Sequence, residues 1–414
     1  MVAAVAAALL AVAPAVASAV QRVSVGPGGV QSNGSSILPQ LAGHGAVAYL
    51  STATNLVPGD ATGEDWSVFA WRHGRTRLAG SNIGVPAGEG RDDALGDISN
   101  DGRYVVFDSW VALVPTDTNG QPDVYLRDLV TGGLRRISVS SAGVGADGWS
   151  FQGTFSGDGR WVAFASAATN LHPSDDGQGS FDIYLHDLRR RTTARVAATA
   201  WDPALDRHAR TVAFVRLGGT DPIGVVDLRT GVSEIVSVDT AGRPGDRASY
   251  GPVLSADGRF VAFTTDSTLH PGDVVRPPPG PPSGGGGWLN VYLRDRAART
   301  TEQVDVSSAG AHGNATGSQP SISDNGRWVA FTSYASNLVP GDTNHVADAF
   351  ARDRLRHTTK RVSVTATGAQ ADLETYHVDL DRTARRVAFA SVATNLVPGD
   401  TNLATDIFVR RLGR

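Results

Sequence analysis

Residues Arg327 to Asp353 read RWVAFTSYASNLVPGDTNHVADAFARD, and the chain is built from copies of this stretch. RYVVFDSWVALVPTDTNGQPDVYLRD begins at Arg103, RWVAFASAATNLHPSDDGQGSFDIYLHD at Arg160, and RVAFASVATNLVPGDTNLATDIFVR at Arg386. Self-similarity at a steady period marks a repeat architecture. With the aromatic of the V-A-F segment as a ruler, the positions are Tyr49, Phe107, Phe164, Phe214, Phe263, Phe331 and Phe389. Seven units cover almost everything after an apolar N-terminal segment.

Each unit carries only β signals. A short segment such as Gln319-Pro-Ser-Ile-Ser323 leads to Asp-Gly or Asn-Gly (Asp101-Gly102, Asp158-Gly159, Asp257-Gly258, Asn325-Gly326). These pairs tolerate the positive φ of a tight hairpin. A strand rich in β-branched and aromatic residues follows, as in Trp328-Val-Ala-Phe331. After a loop whose fullest form is NLVPGDTN comes a third strand, such as Asp123 to Asp128. A Thr-Gly type turn then leads to a fourth, read as Arg136 to Val139 or Arg361 to Val364. Four antiparallel strands at this spacing make a β-propeller blade. Sheets stacked around an axis are covered on both sides, which suits strands that are apolar on both faces.

The chain ends agree. The seventh unit stops after its third strand, Ile407 to Arg410, while a spare fourth-strand copy, Arg22-Val-Ser-Val25, follows the N-terminal segment. The spare strand is expected to complete the last blade and leave no open edge. Unit four lacks the NLVPGD loop, having Arg216 to Pro222 there, and unit five carries a Pro- and Gly-rich insert at 276–287. That insert reads as a tolerated surface insertion.

A chain of 414 residues with 41% hydrophobic content has ample material for a core. Single cores rarely grow past about 250–300 residues, so a ring of repeated units is the economical solution. Formal charge is −4, and of 37 basic residues only Lys360 is lysine. The arginines are scattered through turns and strand ends with no basic run, so a nucleic-acid partner is not expected. Cysteine is absent, which excludes disulfides and thiolate zinc sites. Residues 1–19 are uncharged and dominated by Ala, Val and Leu, ending in Ala17-Ser18-Ala19. This is the pattern of a cleaved signal peptide, with a retained anchor as the alternative. No later segment is apolar enough to span a membrane.

The strings SISDNGRWVAF, SADGRFVAF and SNDGRYVVF resemble the TolB-type, WD-repeat-like propeller repeat of exported bacterial proteins. That repeat centres on a Ser-x-Asp-Gly-Arg turn leading into a V-A-F strand. The NLVPGDTN element looks like a variant from secreted propellers of high-GC bacteria. The resemblance covers about residues 22–414. It implies an all-β, seven-bladed propeller acting outside the cytoplasm, in the periplasm, envelope or medium. It further implies a monomeric binding or scaffold role toward protein or cell-envelope polysaccharide. The family's best-known member has an α/β domain ahead of its propeller, with no room for one between Ala19 and Arg22, so that member's complex is not expected here. Related propellers serve peptidases and uronate lyases, so an enzyme built on loops at one face, such as a polysaccharide lyase or glycoside hydrolase, is the alternative.

No G-x-S-x-G elbow, H-E-x-x-H pair, P-loop or dinucleotide fingerprint is present. His172 and His270 fall at one repeat position in non-adjacent units and read as loop substitutions. Trp66, Trp110, Trp149, Trp201 and Tyr334 fall in or beside loops of one propeller face, where they pack between blades or stack on a ligand. Three loops repeat one spacing of oxygen side chains: Asp117, Asn119, Asp123; Asp342, Asn344, Asp348; Asp400, Asn402, Asp406. Looser versions are Asp175, Asp176 and Asp182, and Asp60, Glu64 and Asp65. Hard oxygens so spaced suit a weak Ca²⁺ site. They equally suit turns capped by their own side chains, with no ion. No other cofactor is expected.

Overall fold

The computed structural model describes residues 20–59, 65–80, 95–175, 177–269 and 289–413. They form seven four-stranded antiparallel sheets, each pairing its strands in sequence order except the last. The third blade is representative, with strands Ser150–Phe155, Trp161–Ser166, Asp182–Asp187 and Thr192–Ala197 running from the axis outward. Among the described residues the only helical element is one 3₁₀ turn, Pro27–Gly29. Residues 1–19 and the insert at 276–287 lie outside the described residues.

The ruler aromatics are buried, and six stack on an aromatic of the third strand at 5.7–6.2 Å between centroids. The exception is Phe214, which faces Gly224. A β-carbon on Gly224 would lie 2.7 Å from the Phe214 ring, so this glycine makes the room that the other blades fill with a second ring. Seven apolar clusters of described residues fill the spaces between neighbouring blades, which is why both faces of each sheet are apolar.

The ring closes as expected. Gln21 pairs with Val409 and Arg22 with Phe408, so the last sheet runs from Thr375–Leu380 through Arg386–Ser391 and Asp406–Arg411 to Gln21–Arg22. Val23 adds a bond from its N–H to the Ile407 carbonyl (2.8 Å). The fourth strands sit earlier than their sequence suggests. The ladders cover Leu134–Arg136 and Thr358–Arg361, Ile137 and Val362 still donate to the carbonyls of Val124 and Ala349 (2.7 and 2.8 Å), and the Ser-Val that follows turns out of the sheet. The cause is the serine: the hydroxyls of Ser138 and Ser363 donate to Asp123 and Asp348 (both 2.5 Å) instead of continuing the strand.

Antiparallel order divides the molecule into two faces. The loops between second and third strands and the blade-to-blade crossings share one, called here the mouth face. The hairpin turns joining first to second and third to fourth strands share the other, the turn face.

Candidate functional site

A cavity of about 320 Å³ lies on the axis, lined by the innermost strands of all seven blades. Each of those strands bulges at the same level, where its register slips against the second strand. The bulges place Leu38, Gln152, Asp202, Gln319 and His377 at φ of 40° to 57°, with Gly251 at 58°. Left-handed backbone at non-glycine residues costs on the order of 1–3 kcal/mol each. Hydrogen bonds between blades offset that cost. The Gln152 side-chain carbonyl accepts the Asp202 N–H (2.9 Å), Asp202 accepts the Gly251 N–H (3.0 Å), and Gln319 accepts the His377 N–H (3.0 Å). The Nε2 donors of Gln152 and Gln319 take no part in this relay. Its sequence signal is a proline after the bulged residue, at Pro39, Pro203, Pro252 and Pro320, since proline inside a strand marks a bulge or an edge.

Deeper on the axis stand two carboxylates. Asp379 accepts the Leu41 N–H (2.7 Å), the Leu380 N–H (2.9 Å) and the Ser321 hydroxyl (2.6 Å). Asp97 accepts the N–H groups of Phe155 (3.0 Å) and Ile98 (2.7 Å). Burial pushes the Asp379 carboxyl up to about 6, with the charge of Asp97 adding to it. Asp97 is also raised by burial, against the pull of its hydrogen bonds and of Arg382. Arg382 crosses the turn-face end of the channel. It reaches from the seventh blade to the third, where a β-carbon on Gly157 would sit 2.6 Å from its Nη1, and it pairs with Asp324 of the sixth (3.3 Å). The cavity is therefore a cup open toward the mouth face.

Around the mouth, Trp110 packs edge-on against Trp149 (5.1 Å) and Phe151 against Phe181 (4.8 Å), all half-buried. The first pair joins the loop of the second blade to the crossing into the third, and the second lies within the third blade. Trp66 is half-buried beside the first two blades, and Trp201 belongs to an innermost strand, Ala200–Leu205, rather than a loop. Tyr334 and Tyr250 are different, being 52% and 42% exposed. The Tyr334 hydroxyl donates to Glu374, whose other oxygen accepts from Tyr376 (2.7 Å).

The Asp/Asn loops lie farther out on this face, and each encloses a guanidinium. Arg136 stands 2.9 Å from Asp123 and 3.4 Å from Asp117. Arg361 stands 3.2 Å from Asp342 and 3.4 Å from Asp348, and Arg22 stands 3.3 Å from Asp400 and 3.2 Å from Asp406. The asparagines turn their NH₂ groups inward: Asn119 donates to Asp123 (2.9 Å) and the Ala146 carbonyl (2.8 Å), Asn344 to Asp348 (3.2 Å), and Asn402 to the Ser32 carbonyl (2.9 Å). The third blade follows suit, Arg195 pairing with Asp182 (2.6 Å) and the Ser174 carbonyl (2.6 Å), while Asp175 accepts from Tyr184 (2.5 Å). Of the first blade's version, Asp65 is exposed; Asp60, Glu64 and Asp176 lie outside the described residues.

The repeats show what the arginine is for. A third strand that opens with Asp has an arginine on the fourth, opposite the aromatic two residues after the Asp and paired with the Asp: Asp123 with Arg136, Asp182 with Arg195, Asp348 with Arg361, Asp406 with Arg22. Where the equivalent residue is Ser67, Asn290 or Pro222 (which just precedes its strand), the fourth strand has Leu78, Gln303 or Ile235. Acid and arginine come and go together. A hard cation needs inward oxygens, whereas these loops present amide N–H groups and a resident positive charge; as folded, they do not fit calcium. Among the described residues no cluster of three or more His, Asp or Glu is placed to hold a metal ion.

His172 bonds the hydroxyl of Ser174 (2.8 Å) as a turn cap, and His270 lies outside the described residues. His377 is the one histidine lining the axial cup among the described residues.

No protein-family model matches the sequence, and no curated protein matches it. Solved structures do. The β-propeller domain of the trilobed protease from Pyrococcus furiosus aligns at 11% identity and TM-score 0.54, covering 91% of this chain and 95% of that one. The acylaminoacyl peptidase of Pyrococcus horikoshii aligns at 12% identity and TM-score 0.52 over 92% of this chain. This chain spans only 52% of that peptidase. TolB from Acinetobacter baumannii aligns at 13% identity and TM-score 0.42, covering 92% of this chain and 79% of that one. At such identities the likeness is one of fold.

Proposed function

We propose that this protein is an exported binding propeller that holds a polar ligand, a cell-envelope glycan or a protein, over the mouth face. The observation that carries this reading is the pairing of exposed Tyr334 and Tyr250 with amide donors in the cup below them. Aromatic faces stack on sugar rings or partner side chains, and unspent N–H donors fix orientation. Export rests on the N-terminal segment ending in Ala17-Ser18-Ala19. Among the described residues no helix is long and apolar enough to cross a membrane.

A binding role is favoured over catalysis by how the axial carboxylates are used. Asp97 and Asp379 each bond two backbone N–H groups, so they act as struts between blades. The enzyme alternative has Asp379 in its favour, a carboxyl lining the cavity that burial pushes up to about 6. One experiment separates the two: a panel of envelope glycans and an envelope-extract pull-down, with the panel also assayed for cleavage. Retention that falls at least tenfold in Tyr334→Ala without product formation supports binding. Turnover abolished by Asp379→Asn would replace it with the enzyme.

A further inference from the structure

The arginines that sequence scatters through strand ends and hairpins are collected by the fold onto the turn face. The hairpins between third and fourth strands present Arg75, Arg190, Arg229, Arg299 and Arg356, all exposed, in five different blades. Nearer the axis, first-to-second-strand turns add exposed Arg207, Arg210 and Arg385. Exposed carboxylates of that face, among the described residues, are Asp101, Asp158, Glu234 and Asp257, and Glu234 is taken by Arg296 (2.7 Å). A second set of arginines is engaged internally: Arg103, Arg160, Arg259 and Arg327 each grip the Asp that ends the third strand, at 2.5–2.7 Å. Of the exposed set, Arg190 and Arg356 stand at 4.0 Å from Asp187 and Asp353, carboxylates already held by Arg160 and Arg327, so the set remains a surplus of positive charge on a chain whose formal charge is −4.

Apolar tips stand among these arginines. Val130 is 64% exposed, Val232 65% and Leu355 72%, each in a hairpin turn of that face. Leu355 sits between Arg354 and Arg356. We propose that the turn face docks the propeller on an anionic lipid surface, with guanidinium groups on the headgroups and the three tips entering the interface. Charge spread over a broad ring matches a plane. A nucleic acid or acidic polysaccharide would instead follow a continuous groove with stacking aromatics, and the exposed tyrosines are on the opposite face. Docked this way, the cup and its mouth point away from the membrane.

The test is sedimentation of the full chain with phosphatidylcholine vesicles and with vesicles containing 30 mol% phosphatidylglycerol, at about 50 and 500 mM NaCl. Each basic side chain near an anionic surface strengthens binding roughly fivefold, and salt screens it. Expected is binding to the anionic vesicles alone, lost at high salt, and weakened at least tenfold in Arg75→Gln/Arg229→Gln/Arg299→Gln/Arg385→Gln. Val232→Asp/Leu355→Asp should weaken it too, whereas Asp372→Asn on the mouth face should not. Melting midpoints of all variants confirm folding, and Arg299→Gln alone serves if the quadruple variant does not fold. No binding at 50 mM salt, equal binding to neutral vesicles, or wild-type binding by the arginine variants would overturn the proposal. So would a fluorescent DNA duplex that binds tighter than the vesicles and strips the protein from them.

Discussion

The Nε of Arg136 lies 2.9 Å from a carboxylate oxygen of Asp123, and both side chains are almost wholly out of water. Charged groups so placed must neutralise each other, because neither has solvent to turn to. The same relation in the sixth and seventh blades makes these loops closed electrostatic units, and experiments on them separate ion pairing from metal binding.

Replacing Arg361 by Leu, the residue of the first blade at this position, leaves Asp342 and Asp348 buried without a counter-charge. The expected loss is about 3–5 kcal/mol in urea unfolding. Adding Asp342→Asn and Asp348→Asn should restore most of it, since the charge needing compensation is gone. A triple variant as weak as the single one would show that shape, not charge, is what the arginine supplies.

Calcium at millimolar concentration should leave the melting midpoint where a chelator leaves it. Binding at a hundredfold excess over Kd would stabilise the folded state by about 2.7 kcal/mol, a readily measured rise. A rise that Asp348→Ala removes would restore calcium to these loops.

Stability should decline as pH rises from about 4 to 6. The Asp379 carboxyl titrates near 6 in the folded protein and near 3.9 when unfolded. Between those values the folded state holds more protons, so raising pH favours unfolding, and above about 6 the contribution of this one group is constant. Asp97, Asp342, Asp348 and Asp400, raised by the same cause, act in the same direction, and Asp123, which burial pushes up to about 7, carries the decline on to about pH 7. Asp187, held down to about 2 by Arg160 and turn N–H groups against the cost of burial, works oppositely and is lost below about pH 4. Asp379→Asn should flatten the 4-to-6 slope in denaturant titrations; an unchanged slope would assign it elsewhere.

Gly224→Ala should cost about 1–3 kcal/mol, the usual range for overpacking, because the new methyl meets the Phe214 ring. Phe214→Leu in the same background should recover part of the loss, which thermal unfolding of the three variants would record.

The blade count, the hairpins and the ring closure were legible because each rests on local chemistry: a V-A-F-like strand repeated seven times, Asp-Gly or Asn-Gly turns in four units, and a leftover Arg-Val-Ser-Val. The spacing of the Asp/Asn loops left calcium and self-capped turns both open, because it shows which oxygens converge, not what they converge upon. Comparing the fourth strands would have helped, since Arg136, Arg195 and Arg361 occur where the third strand opens with Asp, and Leu78, Ile235 and Gln303 where it does not. The axial bulges were missed although Pro39, Pro203, Pro252 and Pro320 mark four of them. The basic face was invisible for a different reason. Arg75, Arg229 and Arg299 are far apart in sequence, and only the antiparallel winding of separate blades brings them to one plane.

The pairing of Gln21–Arg22 with Asp406–Arg411 also sets an order of events. The outermost strand of the last blade is the first of its sheet to be synthesised, and its partner is the last. Long-range pairing of this kind is slow, since loop entropy must be spent before any contact rewards it. A chain emerging from its N-terminus therefore keeps Arg22 to Val25 waiting while six blades assemble, and a product truncated before Asp406 never seals. The joint between these two strands works as a check on assembly: only a chain that carries both Gln21–Arg22 and Asp406–Arg411 becomes a ring without an open edge for proteases or neighbouring strands to find.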